Sequence, residues 1–190
     1  LRGDPPTGVD APYEAHAEGF SRTADLVAAI KSRGDFDVAV SAYPERHPQS
    51  PTDDHDLDVL GEKVAAGADR AMTQMFFDNA AFLRYRDRVA DRGIGVPIVP
   101  GIFPIHSFPA VARFAARCGA QVPASLADRF AGLDDDPSAT HAVATDVAAE
   151  QIAELVAHGV EHVHLYTLNR ADLALAVCER LGLPRLVRSS

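Results

Sequence analysis

The chain has 190 residues, 47% of them hydrophobic and 24% charged, which bounds it to one globular domain of ordinary composition. A net charge of −9 excludes a duplex nucleic-acid binder, whose phosphates would call for an excess of Lys and Arg. No apolar run approaches the ~18–20 residues of a membrane span and no signal-peptide pattern opens the sequence, so the cytoplasm is the expected location.

In chain order, Leu1-Arg2-Gly3-Asp4 reads as the end of a strand whose body would lie before residue 1. Leu26, Val27 and Ile30 then mark one helix face, and residues 36–40 form a short apolar run with strand character. Leu57, Leu60 and Val64 mark a second helix, followed by a strand-like run at 70–76. Phe82, Tyr85 and Val89 mark a third, followed by a run at 97–102. Residues 123–130 read as an extra short helix, and Asp134-Asp135-Asp136 as the cap of a long one carrying Val143, Val147, Ile152, Leu155 and Val156. A last run at 162–166 precedes a helix with Leu173, Ala176, Val177 and Leu181. Glycines at 34, 67, 93 and 159 stand just before the four runs, where a helix C-terminus needs a left-handed residue. Strand and helix thus alternate about five times, the pattern of parallel βα units. Continuous apolar strands predict burial on both sheet faces. Cys118 and Cys178 lie in apolar helical contexts without metal-ligand spacing, and are expected as buried thiols in a reducing compartment.

Function in parallel α/β folds gathers where strands end. Each run here ends in polar residues: Ser41 to Pro48, Thr73-Gln74 with Asp78, Pro100-Gly101 through Pro104, and Thr167 to Arg170. Buried polar groups cost ~1–3 kcal/mol unless paired, so these four clusters, with Leu1-Arg2-Gly3-Asp4 as a fifth on the same edge, point to one polar-lined site. Each cluster has a plainer alternative. Arg2 and Asp4 could form a structural ion pair, and Tyr43 and His47 could pack on Pro44 and Pro48. Gln74 could be a core amide satisfied by backbone, and Arg170 could cap the last helix or pair with Asp172.

Taken together, Leu-Arg-Gly-Asp at 1–4, Ala-Tyr-Pro-Glu-x-His-Pro at 42–48, Asp56-Leu57 with Lys63, Thr73-Gln74-Met75-Phe76-Phe77-Asp78, Pro100-Gly101-Ile102-x-Pro104, Gly132-Leu133-Asp134-Asp135-Asp136 and Tyr166-Thr167-Leu168-Asn169-Arg170 resemble the methylenetetrahydrofolate reductase family. The likeness runs from residue 1 to about residue 183. It implies a (β/α)8 TIM barrel, of which residues 1–184 supply the C-terminal half to two-thirds, with 185–190 a tail. It further implies FAD as cofactor, NAD(P)H as hydride donor and a folate substrate, reduced by a ping-pong route. Carried over by motif, Asp4 is the catalytic residue beside flavin and folate. Arg2, Gly3, Asp4, Tyr43, His47, Asp56 and Lys63 are flavin-binding, and Asp4, Gln74, Phe114, Leu168 and Arg170 bind folate. No metal is implied, and self-association into a homo-oligomer is left open.

The chain departs from the family pattern at Val59, Glu62 and Ala110, where an asparagine, an arginine and a glutamine would stand, and the loop at 5–23 is longer than usual. The family's general-acid glutamate would precede Leu1, so these residues are expected to belong to a longer chain and not to turn over alone. Two alternatives compete: an unrelated TIM-barrel aldolase or isomerase, and an inactive folate- or partner-binding remnant. No strand ends in a lysine suited to a Schiff base and no glycine-rich phosphate loop follows the late strands, which disfavours the first. The joint presence of Asp4, Gln74 and Arg170 disfavours the second.

Overall fold

The structure is a computed structural model that describes residues 14–183. Arg2, Gly3, Asp4 and the tail at 185–190 lie outside the described residues. Four parallel strands form one sheet: β1 (Ala39–Ala42), β2 (Arg70–Met75), β3 (Ile98–Ile102) and β4 (His164–Leu165). Their order in space is their order in the chain, and every neighbouring pair is parallel. Right-handed crossovers that always advance the same way put all helices on one face. That is the wall of a barrel; a doubly wound sheet would reverse direction at a switch point.

The helices are α1 (Thr23–Lys31), α2 (Asp53–Ala65), α3 (Asn79–Asp91), α4 (Phe108–Cys118), α5 (Ala124–Phe130), α6 (Pro137–Ala157) and α7 (Ala171–Arg180). Their starts are set by short polar side chains. The Thr52 hydroxyl accepts from the His55 amide, the Asp78 carboxylate from Ala80 and the Asp136 carboxylate from Ala139, the last as the acidic triplet predicts. Gly67, Gly93 and Gly159 adopt the positive φ expected of them after helix ends, whereas Gly34 is not among the left-handed residues. The Pro109-containing helix α4, read from sequence only as an apolar context around Cys118, ends at Gly119 with φ 76°.

Three differences from the sequence reading have physical causes. The first strand starts at Ala39 rather than Phe36, because a tight turn closes from the Phe36 amide to the Gly34 carbonyl and leaves the Phe36 ring 54% exposed. Burial along β2 alternates instead of being continuous, with Ala71, Thr73 and Met75 covered by helices and Met72 and Gln74 only half-buried on the other face. Among the described residues that inner face has no second layer. Cys118 and Cys178 are half-buried rather than buried.

Behind the sheet, Val27, Val40, Leu57, Leu60, Ala71, Tyr85 and Val89 pack into one cluster, and Phe76, Phe82, Ile102, Ile152, Leu155 and Val177 into another. Side-chain amides join the layers: Gln151 of α6 donates to the Phe76 carbonyl at 2.9 Å, and Asn79 of α3 donates to Gln151 O and Glu154 Oε2. At the opposite end of the sheet from the polar clusters, Asp69 is a clamp. Its carboxylate accepts from the Val38 amide at 2.7 Å and from Lys31 Nζ at 2.9 Å, holding the entries of β1 and β2 together.

The Val38 amide and then the Lys31 ammonium keep the Asp69 carboxyl below the usual aspartate range. A depressed folded value means the contribution is full above the ordinary value, near pH ~4, and is lost as pH falls through the lowered one. Urea midpoints followed downward from about pH 6 should therefore fall more steeply for the native chain than for Asp69→Asn. Parallel curves would show that the clamp adds nothing.

Candidate functional site

The residues singled out from sequence meet at the C-terminal ends of the strands. Tyr43 directly follows β1 and Gln74 lies in β2, and the pairing of Ala42 with Thr73 puts the two at the same level on adjacent strands. The loop after β1 is fixed from three sides. The His47 amide donates to Asp56 Oδ2 at 2.9 Å, and the Glu45 carboxylate accepts from the Gln121 amide at 3.1–3.2 Å. The Arg46 carbonyl lies against Gly119, where a Cβ would come within 2.7 Å of it. Burial pushes the Glu45 carboxyl up, and the Gln121 amide opposes that. The Tyr43 and His47 rings meet edge to face with centroids 4.6 Å apart, so they brace each other rather than only packing on prolines. Asp56 acts here as the anchor of this loop.

Lys63 comes from the last turn of α2 yet is buried, with 6% exposure. Its ammonium donates to the Ser41 carbonyl at 2.9 Å, which aims the cation at the end of β1. Burial lowers its pKa and Asp56 opposes the shift. One donated bond leaves two of three N–H donors for an anionic oxygen. Its neighbour Glu62, where the family carries arginine, forms an ion pair with Arg22 at the cap of α1.

A β-bulge shapes the centre of the rim. Met72 pairs with Val99 but Met75 with Gly101, so β2 spends one residue more than β3. The groups released by the bulge are satisfied by side chains. The Gly101 amide donates to Thr73 Oγ1 at 2.9 Å, and the Tyr166 hydroxyl donates to the Thr73 carbonyl at 2.8 Å. Tyr166 reaches that carbonyl by lying over Gly101, where a Cβ would sit 2.5 Å from its ring and 2.3 Å from the Thr73 carbonyl oxygen. Gln74 stands in the bulge. Its Oε1 accepts from the Met75 amide at 2.9 Å, so the plainer reading holds for its carbonyl end, and its amide nitrogen makes no bond to the described residues. Burial pushes the Tyr166 phenol up, with Tyr43 near enough to add to the shift. The ends of β1, β2 and β4 therefore face one space.

The far side of that space is apolar and cationic. The buried Phe103 ring lies 5.9 Å from Phe114 and 6.1 Å from Tyr166. Leu168 is 58% exposed with φ 46°, and Asn169 follows with φ 62°. A leucine in the left-handed region is strained, and here the turn presents its side chain outward beside Arg170. Arg170 occupies the cap of α7 but makes no side-chain cap bond, and Asp172 lies 3.8 Å from His141 instead. Both plainer roles weighed for Arg170 are thus filled otherwise or absent, and its guanidinium has no partner among the described residues. A small cavity is lined by Pro104, His106, Tyr166, Leu168 and Arg170.

A cleft of about 1130 Å3 lies elsewhere, between α3, α5 and α6 on the helical side. Three of its cations are engaged: Arg84 with Asp78, Arg88 with Asp53 and Asp54, Arg129 with Glu150. Pro44, Glu45 and Asp78 of the strand-end clusters reach that mixed-charge surface, but none of the flavin- or folate-binding residues expected from sequence does. No metal-binding cluster occurs among the described residues, and no helix among them is long and apolar enough to cross a membrane.

Of the residues expected from sequence, Tyr43, His47, Asp56, Lys63, Gln74, Leu168 and Arg170 stand on or beside the C-terminal ends of β1, β2 and β4, and Phe114 stands on α4 beside Phe103. Asp4, Arg2 and Gly3 fall outside the described residues. Thr73, Gly101 and Tyr166 stand in the motifs without a role of their own, and His106 lies outside them. The signal for Gly101 was available in Pro100-Gly101, since a glycine inside an apolar strand marks close backbone approach.

The profile of the methylenetetrahydrofolate reductase family matches residues 1–182. The chain is 43% identical over 182 residues to the 5,10-methylenetetrahydrofolate reductase of Escherichia coli strain K12, covering 96% of this chain and 59% of that protein. It is 45% identical over 159 residues to the enzyme of the same name from Pectobacterium carotovorum, covering 84% of this chain and 53% of the relative. The chain thus spans under two-thirds of the length of these relatives. Among solved structures, a Clostridium thermocellum protein described as binding two copies of 5-methyl-5,6,7,8-tetrahydrofolic acid matches with TM-score 0.56 and 16% identity. That alignment covers 89% of this chain and 62% of the other. At that identity the likeness shows the fold alone.

Gly101→Ala should lower stability by about 3 kcal/mol, the upper end for overpacking, because both atoms that its methyl meets are fixed by the bulge. Thermal unfolding measures this, and an unchanged midpoint would mean that the Tyr166 contact is not as tight as described.

Proposed function

Because the chain belongs to the methylenetetrahydrofolate reductase family, with its (β/α)8 barrel fold, we propose that in its natural protein this rim serves the reduction of 5,10-methylenetetrahydrofolate to 5-methyltetrahydrofolate. The observation that carries the proposal is the placement of Tyr43, Lys63 and Gln74 at the C-terminal ends of β1 and β2, with Arg170 just past the end of β4. The reaction adds one hydride to the bridging carbon and one proton to the amine that it leaves. FAD, when bound, would supply the relay of that hydride from NADH or NADPH.

The residues present fit a flavin nucleotide. Lys63 is a buried cation with spare donors, suited to a diphosphate, and its lowered pKa would recover beside the added negative charge. Tyr43 and His47 form a braced aromatic pair on a loop tied down by Asp56, suited to holding an adenosine or ribityl portion without ordering cost. Arg2, Gly3 and Asp4 join this set by motif. Asp4, by the same reasoning, supplies a negative charge that stabilises the cationic iminium form of the substrate. Gln74 offers its amide nitrogen to the edge of the pterin, a ring rich in acceptors. Leu168 and Phe114 supply apolar walls, and Arg170 a cation for the acidic end of the folate.

The test is to express the protein in its natural length, supply FAD with NADH or NADPH, and follow conversion of methylenetetrahydrofolate to methyltetrahydrofolate. Absence of flavin from the purified protein together with absence of conversion would overturn the proposal. Lys63→Met, which keeps the volume and removes the charge, should weaken FAD binding about tenfold or more, the scale of a charge-assisted hydrogen bond. Fluorescence titration of the flavin reads this directly, and equal affinity would remove Lys63 from the flavin site. Gln74→Glu should weaken folate binding by ~1–3 kcal/mol with flavin content intact. Loss of flavin instead would reassign that side chain.

A further inference from the structure

His106 has not been assigned a role, yet it stands in the cavity with Leu168 and Arg170. It lies four residues past Ile102, the end of β3, on a buried stretch whose Phe103, Pro104 and Ile105 fix the path of the backbone. Its ring is half-buried and tilted by 37° to Phe103, with centroids 6.5 Å apart. Phe103 in turn contacts Phe114 and Tyr166, so the imidazole forms the polar end of an aromatic row that crosses the rim. Neither ring nitrogen bonds to a described residue. An imidazole held in place by packing, beside a cavity and without a protein partner, is a donor and acceptor awaiting a ligand.

Its electrostatic setting defines the ligand. Burial, and then the Arg170 guanidinium, hold His106 below the usual histidine range, so the neutral ring prevails near pH 7. A neutral ring next to an unpaired cation suits an elongated ligand that carries a neutral amide followed by carboxylates. Ala110, four residues further on, contributes only a methyl group from the same segment, so no other side chain between Ile105 and Val111 except Ser107 can hydrogen-bond there.

Resting on the folate reading above, we propose that His106 is a substrate-binding residue that donates a hydrogen bond to the amide of the benzoylglutamate arm of the folate, next to Arg170. The benzoyl ring then lies along the exposed Phe114 with Leu168 over it, and the glutamate carboxylates extend toward Arg170. The selectivity that follows is for folates that keep the arm over bare pterins.

The experiment is calorimetric titration of the natural-length, FAD-loaded protein with 5-methyltetrahydrofolate and with a tetrahydropterin that lacks the arm. His106→Ala should weaken 5-methyltetrahydrofolate about tenfold, His106→Asn should recover most of that loss, and neither should alter binding of the bare pterin. Unchanged thermal unfolding in His106→Asn keeps the comparison valid should the alanine variant fold poorly. Equal folate affinity in native and variant proteins overturns the inference while leaving the proposed function standing. An equal loss for the bare pterin overturns the assignment to the arm. A native protein that binds no folate at all overturns the parent reading and this inference with it.

Discussion

The rim is held by a small knot of backbone bonds around Thr73. In a regular parallel ladder the Gly101 amide and the Thr73 carbonyl would find main-chain partners; at the bulge they are served instead by the Thr73 hydroxyl and the Tyr166 phenol. The threonine thus satisfies one strand with its side chain and accepts from another with its backbone, joining β2, β3 and the end of β4 at a single residue. Unpaired, two such buried groups would cost ~1–3 kcal/mol each, so the knot is a condition for the sheet to continue past the bulge. Gln74, on the opposite face of β2 from Thr73, stands directly beside this knot.

The elements around this knot are rigid by different means. The loop after β1 is tied by carboxylates: Asp56 holds the His47 amide and Glu45 holds the Gln121 amide. Lys63 is steered by a carbonyl, and the segment after β3 by buried aromatic and proline packing. Binding groups set on such supports lose little freedom when a ligand arrives, which is where affinity is most easily forfeited. The ion pair of Glu62 with Arg22 shows that a family departure can be locally compensated, since an arginine side chain still reaches this flank, now from the neighbouring helix.

Much of this was legible in the sequence. The alternation of strand-like runs with helical spacing is a local property, and the order of strands and helices follows the pattern, although β1 and β4 are shorter at their starts and α4 was not set out as a helix. Polar residues at strand ends, such as Tyr43, His47, Lys63 and Gln74, were conspicuous because they stand in otherwise apolar surroundings. The start of β1 was misplaced because Phe36 has strand propensity but sits in a turn between Gly34 and Asp37, where hydrogen bonding overrides preference. The knot was not legible at all. Thr73 and Tyr166 are ordinary strand residues, and a bulge depends on register between chain segments some 28 to 93 positions apart. Burial of both sheet faces was overestimated for a related reason: apolar composition records the closed barrel, whereas the described residues form only part of its wall.

The turn at Leu168 and Asn169 carries a consequence of its own. Two successive left-handed residues that are not glycine cost of order 1–3 kcal/mol each, and the chain has met that expense before any small molecule arrives. An occupant that rests on Leu168 therefore finds a surface already deformed to receive it. Relaxation of the turn would lower the energy of the empty protein while spoiling its grip, so stability and recognition pull in opposite directions at this one corner.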